Sequence, residues 1–325
     1  MPIVVNSNAS ATQASFNLSR ANDSLRKSLA RLSSGNRINS PADDAGGLAV
    51  AYKLNSKLNR TEAVIQNSQN ALSYLQVQDA SLSTVGKVLD RMGELRTMAA
   101  DITKNSGDIE NYTKEFIELQ SQLNQIQKET FNGISIFGAT ASAAVAGKLN
   151  KGTGTYLDAA GTSQTYSSFS RELITHPDGQ TASGSVSLNV VNLQFVLSVG
   201  TLAANGDAAG GYDLGNINGA NNATGTTGGY IDNILNVSVG QFTAAIEKLA
   251  DMRAENGAEQ NRIMNSIDLL QTNMTNLEAA HGRIMDADIA LESTRFARHN
   301  VLVQASAAMT AQANQLTNVA LQLLG

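Results

Sequence analysis

Apolar residues recur every seven positions along the last quarter of the chain. Counted from Phe242, one row reads Leu249, Asn256, Ile263, Leu270, Leu277, Ile284, Leu291, Arg298, Ala305, Gln312 and Val319. Its companion reads Ile246, Arg253, Gln260, Ile267, Met274, His281, Asp288, Arg295, Leu302, Met309, Leu316 and Leu323. One register held for about eighty residues predicts roughly 120 Å of helix with a coiled-coil seam. Polar residues enter the rows twice. From Arg253 to Gln260 they include Asn256-Gly257, where a bend or break is expected. From His281 to Arg298 they separate two apolar stretches, which marks a boundary between two packing environments.

The N-terminal part mirrors this. Leu18, Leu25 and Leu32 repeat at seven with Leu29 beside them, and Ser33-Ser34-Gly35 predicts a helix end. A new helix is expected from Ser40 as cap, with Pro41 in its first position and Asp43 and Asp44 in its first turn. Leu75, Leu82, Val85, Leu89 and Met92 carry a longer seam. After a break near Asn105-Ser106-Gly107, a third follows at Tyr112, Phe116, Leu119, Leu123 and Ile126. Chain ends with such stripes pair with each other, with neighbours, or both. Stripes that one chain cannot cover point to polymerisation.

Between about Gly138 and Gly240 the chain turns rich in Gly, Ser, Thr, Asn and Ala. Val186, Leu188 and Val190 alternate, then Val191, Leu193, Phe195, Leu197 and Val199 alternate in the opposite phase. That shift predicts a bulge or two adjoining strands. The fold class expected is therefore mainly α with a β-rich insertion: long coiled-coil terminal segments that pair the N- and C-terminal ends, plus a small β domain between them.

Composition narrows function mostly by exclusion. Aromatics are only 5% and cysteine is absent, so aliphatic helical seams form the core and thiol chemistry is excluded. The net charge of −5, with Lys and Arg scattered, argues against nucleic acid. No apolar run reaches the length of a membrane span, and the N-terminus lacks the basic and apolar regions of a cleaved signal. The three histidines, His176, His281 and His299, have no zinc-site spacing. Gly152-Thr153-Gly154 is a chance fragment of a dinucleotide loop. Asp43-Asp44 reads as helix-start electrostatics, and Asp286 and Asp288 as ion-pair partners of Arg283, Arg295 and Arg298. No catalytic residue, cofactor or metal site is expected.

Several runs carry a family resemblance. The stretch from Leu32-Ser33-Ser34-Gly35 through Asn39-Ser40-Pro41-Ala42-Asp43-Asp44-Ala45-Gly46-Gly47 closely resembles the N-terminal signature of bacterial flagellins. Phe131-Asn132-Gly133 is similar to a turn in that family. So are Gly257-Ala258 with Gln260-Asn261-Arg262, Arg283-Ile284-Met285-Asp286-Ala287-Asp288, and the ending Ala311-Gln312-Ala313-Asn314-Gln315 with Leu321-Gln322-Leu323-Leu324-Gly325.

The resemblance implies a subunit that polymerises into the flagellar filament for motility. Residues 1–40 and 286–325 would form the inner coiled-coil core, 41–137 and 241–285 a helical domain, and 138–240 a variable β-rich outer region. The assembly seam would comprise Leu18, Leu25, Leu29, Leu32, Leu302, Met309, Leu316, Val319 and Leu323. Implied partners are other flagellin subunits, an export chaperone, the flagellar type III export apparatus, and the filament cap and hook-junction proteins. A host Toll-like receptor would be met at Arg91, Leu95 and Glu115. Secretion would follow the flagellar route. The alternatives are a hook–filament junction protein and, from another class, an adhesin or enzyme housed in the central region.

Overall fold

Helix ends are set locally by side chains that satisfy free backbone groups. The Asn8 side chain accepts from Ala11 N to start α1 (Ala9–Ser34), and Gly35, in the left-handed region at φ 72°, closes it. Helix α2 spans Ala45–Ala99. Helix α3 (Ser106–Gln127) opens on a reciprocal capping box between Asn105 and Asp108. The computed structural model describes residues 8–138, 150–157, 163–199, 212–214, 231 and 233–324.

Strands β1 (Thr130–Phe131) and β2 (Ile134–Ser135) form a hairpin whose two-residue turn is Asn132-Gly133. Both turn residues have positive φ, 52° and 74°, the geometry for which Asn-Gly is favoured. Strands β3 (Asn150–Leu157), β4 (Ser163–Ile174) and β5 (Ser185–Val190) make an antiparallel sheet in that order. One helical turn, α4 (Leu193–Leu197), leads into β6 (Ser198–Val199), which pairs with β7 (Tyr212–Asp213). Helices α5 (Val239–Met285) and α6 (Ile289–Leu324) complete the chain.

Two compact units result. One contains residues up to 59 and from 273 onward, the other residues 60–272. The second holds most of the core. Leu75, Leu82, Val85, Leu89 and Met92 of α2 are all buried, as that seam predicted. Phe116 of α3 and Phe242 of α5 meet edge to face at 6.1 Å. The described part of 138–240 belongs to this same unit: Val186, Leu188 and Val190 of β5 are buried, and so are Leu193, Phe195, Val196 and Leu197 of α4.

Three expectations need correction. Helix α2 begins at Ala45 rather than Pro41, because Asp43 N bonds back to Ser40 O in a turn. Asp44 then holds the first helical turn, its Oδ1 accepting from Gly47 N at 2.8 Å. Helix α5 passes Asn256-Gly257 unbroken. The buried Asn256 amide donates to Leu75 O and to Gln78 Oε1 (2.6 Å), and its oxygen accepts from Gln260, so the polar seam position is satisfied without a break. The second alternating run is no strand over 193–197, because Asn192 caps a helical turn there by accepting from Phe195 N. A short run buried on every side has no periodicity to separate strand from helix.

Candidate assembly surface

The terminal unit is built on α1 and α6, which run antiparallel. Asn8 Nδ2 donates to Ala313 O at 2.9 Å at one end, and Arg31 faces Glu292 at the other. The less exposed face of α1 is Ala11, Ala14, Leu18, Ala21, Leu25, Ser28 and Leu32. On α6 it is Glu292, Phe296, His299, Val303, Ser306, Thr310 and Ala313. Both sets step by three and four, the spacing of a heptad interface.

The row Leu302 and Met309 is therefore not the face that α6 turns to α1. Each residue stands one position away, about 100° around the helix. Leu302 remains 45% exposed and Met309 65%. Phe16 (62%) and Leu29 (54%) are left open on α1, and Leu291 and Val301 on α6. The side chains of Leu316, Val319 and Leu323 lie outside the described residues.

Where the terminal helices stop, the two chain ends are stitched together. Ala287 N donates to Gly35 O at 2.9 Å and Arg37 N to Met285 O, which makes a bridge of Asn36 with Asp286. The Arg37 guanidinium adds two bonds to Ile284 O, 2.8 and 3.2 Å, which satisfies a carbonyl at the end of α5. The boundary expected between His281 and Arg298 is thus a true helix break. Its acids act differently from expectation. Asp288 caps α6 by accepting from Leu291 N, while Arg295 pairs with Glu292 at 3.3 Å. Glu292 is buried between Arg295 and Arg31. Asp43 pairs with Lys27, and this ammonium above all, helped by N–H donors from Asn39 and Ser40, holds its carboxyl down at about 2.

One buried and one partly buried charge elsewhere had no sequence signal. Lys248 of α5 donates to Ser198 O at 2.9 Å and lies 4.9 Å from the Phe195 ring centre. Burial pushes its ammonium down to about 8. Glu259 accepts Asn189 N through both oxygens, 2.9 and 3.0 Å, and burial lifts it to about 7. Both side chains bind backbone groups of the central segment. Their spacing on α5 matches no chemical motif, and their partners are fixed only by the fold.

Comparison with known proteins adds the decisive observation. The chain matches the bacterial flagellin N-terminal helical region over residues 5–142 and the bacterial flagellin C-terminal helical region over 239–324. It is 30% identical to the flagellin of Bacillus subtilis, with 98% of this chain and 99% of that one aligned. Polar flagellin F of Vibrio parahaemolyticus is 29% identical across the full length of both chains. The flagellar filament 33 kDa core protein of Treponema phagedenis is 29% identical over 99% of this chain and 100% of its own.

The chain belongs to the bacterial flagellins. It is a structural subunit of the extracellular flagellar filament, in a family of structural proteins not known as enzymes. Of the three flagellin residues expected to meet a receptor, two come together: Arg91 Nε donates to Glu115 Oε1 at 2.7 Å, and both are partly exposed. Glu94 takes a second bond from Arg91 at 3.0 Å. These two acids raise the affinity of the Arg91 guanidinium for its proton, Glu115 more than Glu94. Leu95 is wholly buried. Its side chain packs in the core of residues 60–272. Gly152-Thr153-Gly154 lies within β3, paired along its length to β4.

Proposed function

We propose that the apolar rows left open on α1 and α6 are the surfaces through which one flagellin subunit joins the next. The exposure of Leu302 and Met309 on a helix paired with α1 from Glu292 to Ala313 carries this reading. A soluble single chain has little reason to hold large apolar side chains in a row at heptad spacing, and covering them requires further copies. On this reading 1–40 and 286–325 form the inner coiled coil of the filament, 41–137 and 241–285 the helical layer around it, and 138–240 the outward region. Leu18, Leu25 and Leu32 make the contact within one subunit. Leu29, Leu302 and Met309, with Leu316, Val319 and Leu323, make contacts between subunits.

The same rows would need cover before assembly, which suits an export chaperone that binds the C-terminal helix in the cytoplasm. Export on this reading runs through the flagellar type III apparatus, and the cap and hook-junction proteins bound the growing polymer. Contact with a Toll-like receptor would rest on the Arg91–Glu115 pair, without Leu95.

The test is Leu302→Asp, with Leu316→Asp beside it. Burying each leucine is worth about 1.5–3 kcal/mol, and a carboxylate in its place opposes burial strongly. Electron microscopy should show no filaments from either variant under conditions where the unaltered chain polymerises. Filaments of normal length and number would sink the assignment.

A further inference from the structure

We propose that the charge pattern Arg31, Glu292 and Arg295 selects which face of α6 the N-terminal helix takes, and so keeps the Leu302–Met309 row free for a second copy of the chain. This rests on the assembly role proposed above. The face that α6 gives to α1 contains Glu292, Phe296, His299, Val303, Ser306, Thr310 and Ala313, whereas the neighbouring row holds Leu291, Arg295, Arg298, Leu302, Ala305, Met309 and Gln312. Both rows carry large apolar side chains, Phe296 and Val303 on one and Leu291, Leu302 and Met309 on the other, so apolar area alone does not choose between them. Charge can.

The backbone stitch at 35–37 and 285–287 fixes where α6 begins along α1. Three residues, Asp286 to Asp288, separate α5 from α6, and modest torsional changes there would turn α6 by one residue. Its first inward side chain is Glu292, 4% exposed, with Arg31 Nη1 at 3.9 Å and Arg295 Nη1 at 3.3 Å. Arg295 occupies the same heptad position as Leu302 and Met309, seven and fourteen residues before them. Turning that row inward would carry Arg295 toward Arg31 and take Glu292 away. An attractive pair would become a repulsive one beside a guanidinium whose Nε is already buried without a partner. A buried charge that fixes the pairing of two helices, at some cost in stability, is the best-attested use of such groups. Arg31 and Glu292 are positioning residues in this sense.

The absence of native cysteine makes the face measurable. Asn8→Cys with Ala313→Cys should close an intrachain disulfide in the full chain, because those residues touch across the helix pair. Arg31→Glu now attracts Arg295 and repels Glu292, so that disulfide should form about tenfold less readily and filaments should be lost. Inverting all three charges, Arg31→Glu with Glu292→Arg and Arg295→Glu, should restore both to within about twofold. The proposal is overturned if Arg31→Glu cross-links and assembles like the parent, or if the triple inversion restores neither. A parent chain that closes the disulfide but forms no filaments would instead count against the assembly role, and the disulfide would still report the face.

Discussion

The same heptad arithmetic has opposite outcomes in the two units. Within residues 60–272, the rows Leu75–Leu82–Leu89 and Phe242–Leu249–Ile263 are buried to a few percent or less. In the terminal unit the only apolar residues buried to that degree, among those described, are Ile38 and Ala51. Phe16, Leu29, Val50, Tyr52, Ile289, Leu291, Val301, Leu302 and Met309 of that unit stay exposed. Periodicity states that a residue belongs to an interface. Whether the partner is in the same chain depends on how many helices that chain can bring to the spot. Residues 60–272 bring three long helices, a three-stranded sheet and smaller elements, while the terminal unit depends on one paired couple for most of its contact. On the assembly reading proposed above, other subunits supply the missing cover.

The largest expected effect that sharpens this contrast is in the packed unit. Phe116→Ala empties a site that is fully closed, and should cost about 3–5 kcal/mol of unfolding free energy in denaturant titration. Leu302→Ala should change the stability of the dissociated chain by less than about 0.5 kcal/mol while weakening assembly. Equal losses in the dissociated chain would erase the distinction.

Lys248 comes next. Its folded-state value of about 8 lies below the ordinary 10.5, so its contribution to stability is fully present above 10.5 and lost as pH falls through 8. Thermal unfolding should therefore show rising stability between pH 8 and 10.5, by on the order of 3 kcal/mol at most. Lys248→Met should flatten that rise. A slope unchanged in the variant would assign it to other groups.

A smaller loss, about 1–3 kcal/mol, is expected for Asn256→Leu, which leaves the buried Gln78 amide short of a partner. The replacement keeps the heptad apolar, so a gain in stability would show that periodicity outweighs the hydrogen-bond network. Smallest is Asp43 in the terminal unit. Its lowered value means stability present above the ordinary carboxylate range and lost as pH falls toward 2. Lys27 is half exposed, so screening limits the pair to under about 1 kcal/mol. Asp43→Asn should remove that acid dependence as followed by circular dichroism.

How far the sequence could be read follows from the same physics. The α2 seam and the Asn132-Gly133 turn were legible because the signal is local: a period in one, a positive-φ preference in the other. Asn256 misled because its partner, Gln78, is 178 positions away. The 193–197 turn misled because complete burial removes the polar face from which a period is read. For α6, the conspicuous row Leu302–Met309 hid the face that meets α1, since that face mixes Phe296 and Val303 with Glu292, His299, Ser306 and Thr310. An acid one step from the seam, with Arg295 three residues on and Arg31 in the other terminal helix, was the available sign.

Amide hydrogen exchange on the full chain, dissociated and then polymerised, tests the account most directly. Amides of Leu75 to Leu95 should be protected in both states, while those of α1 and α6 should exchange quickly in the dissociated chain and become protected in the filament. Terminal helices already as slow as α2 before assembly, or still fast within the polymer, would contradict it.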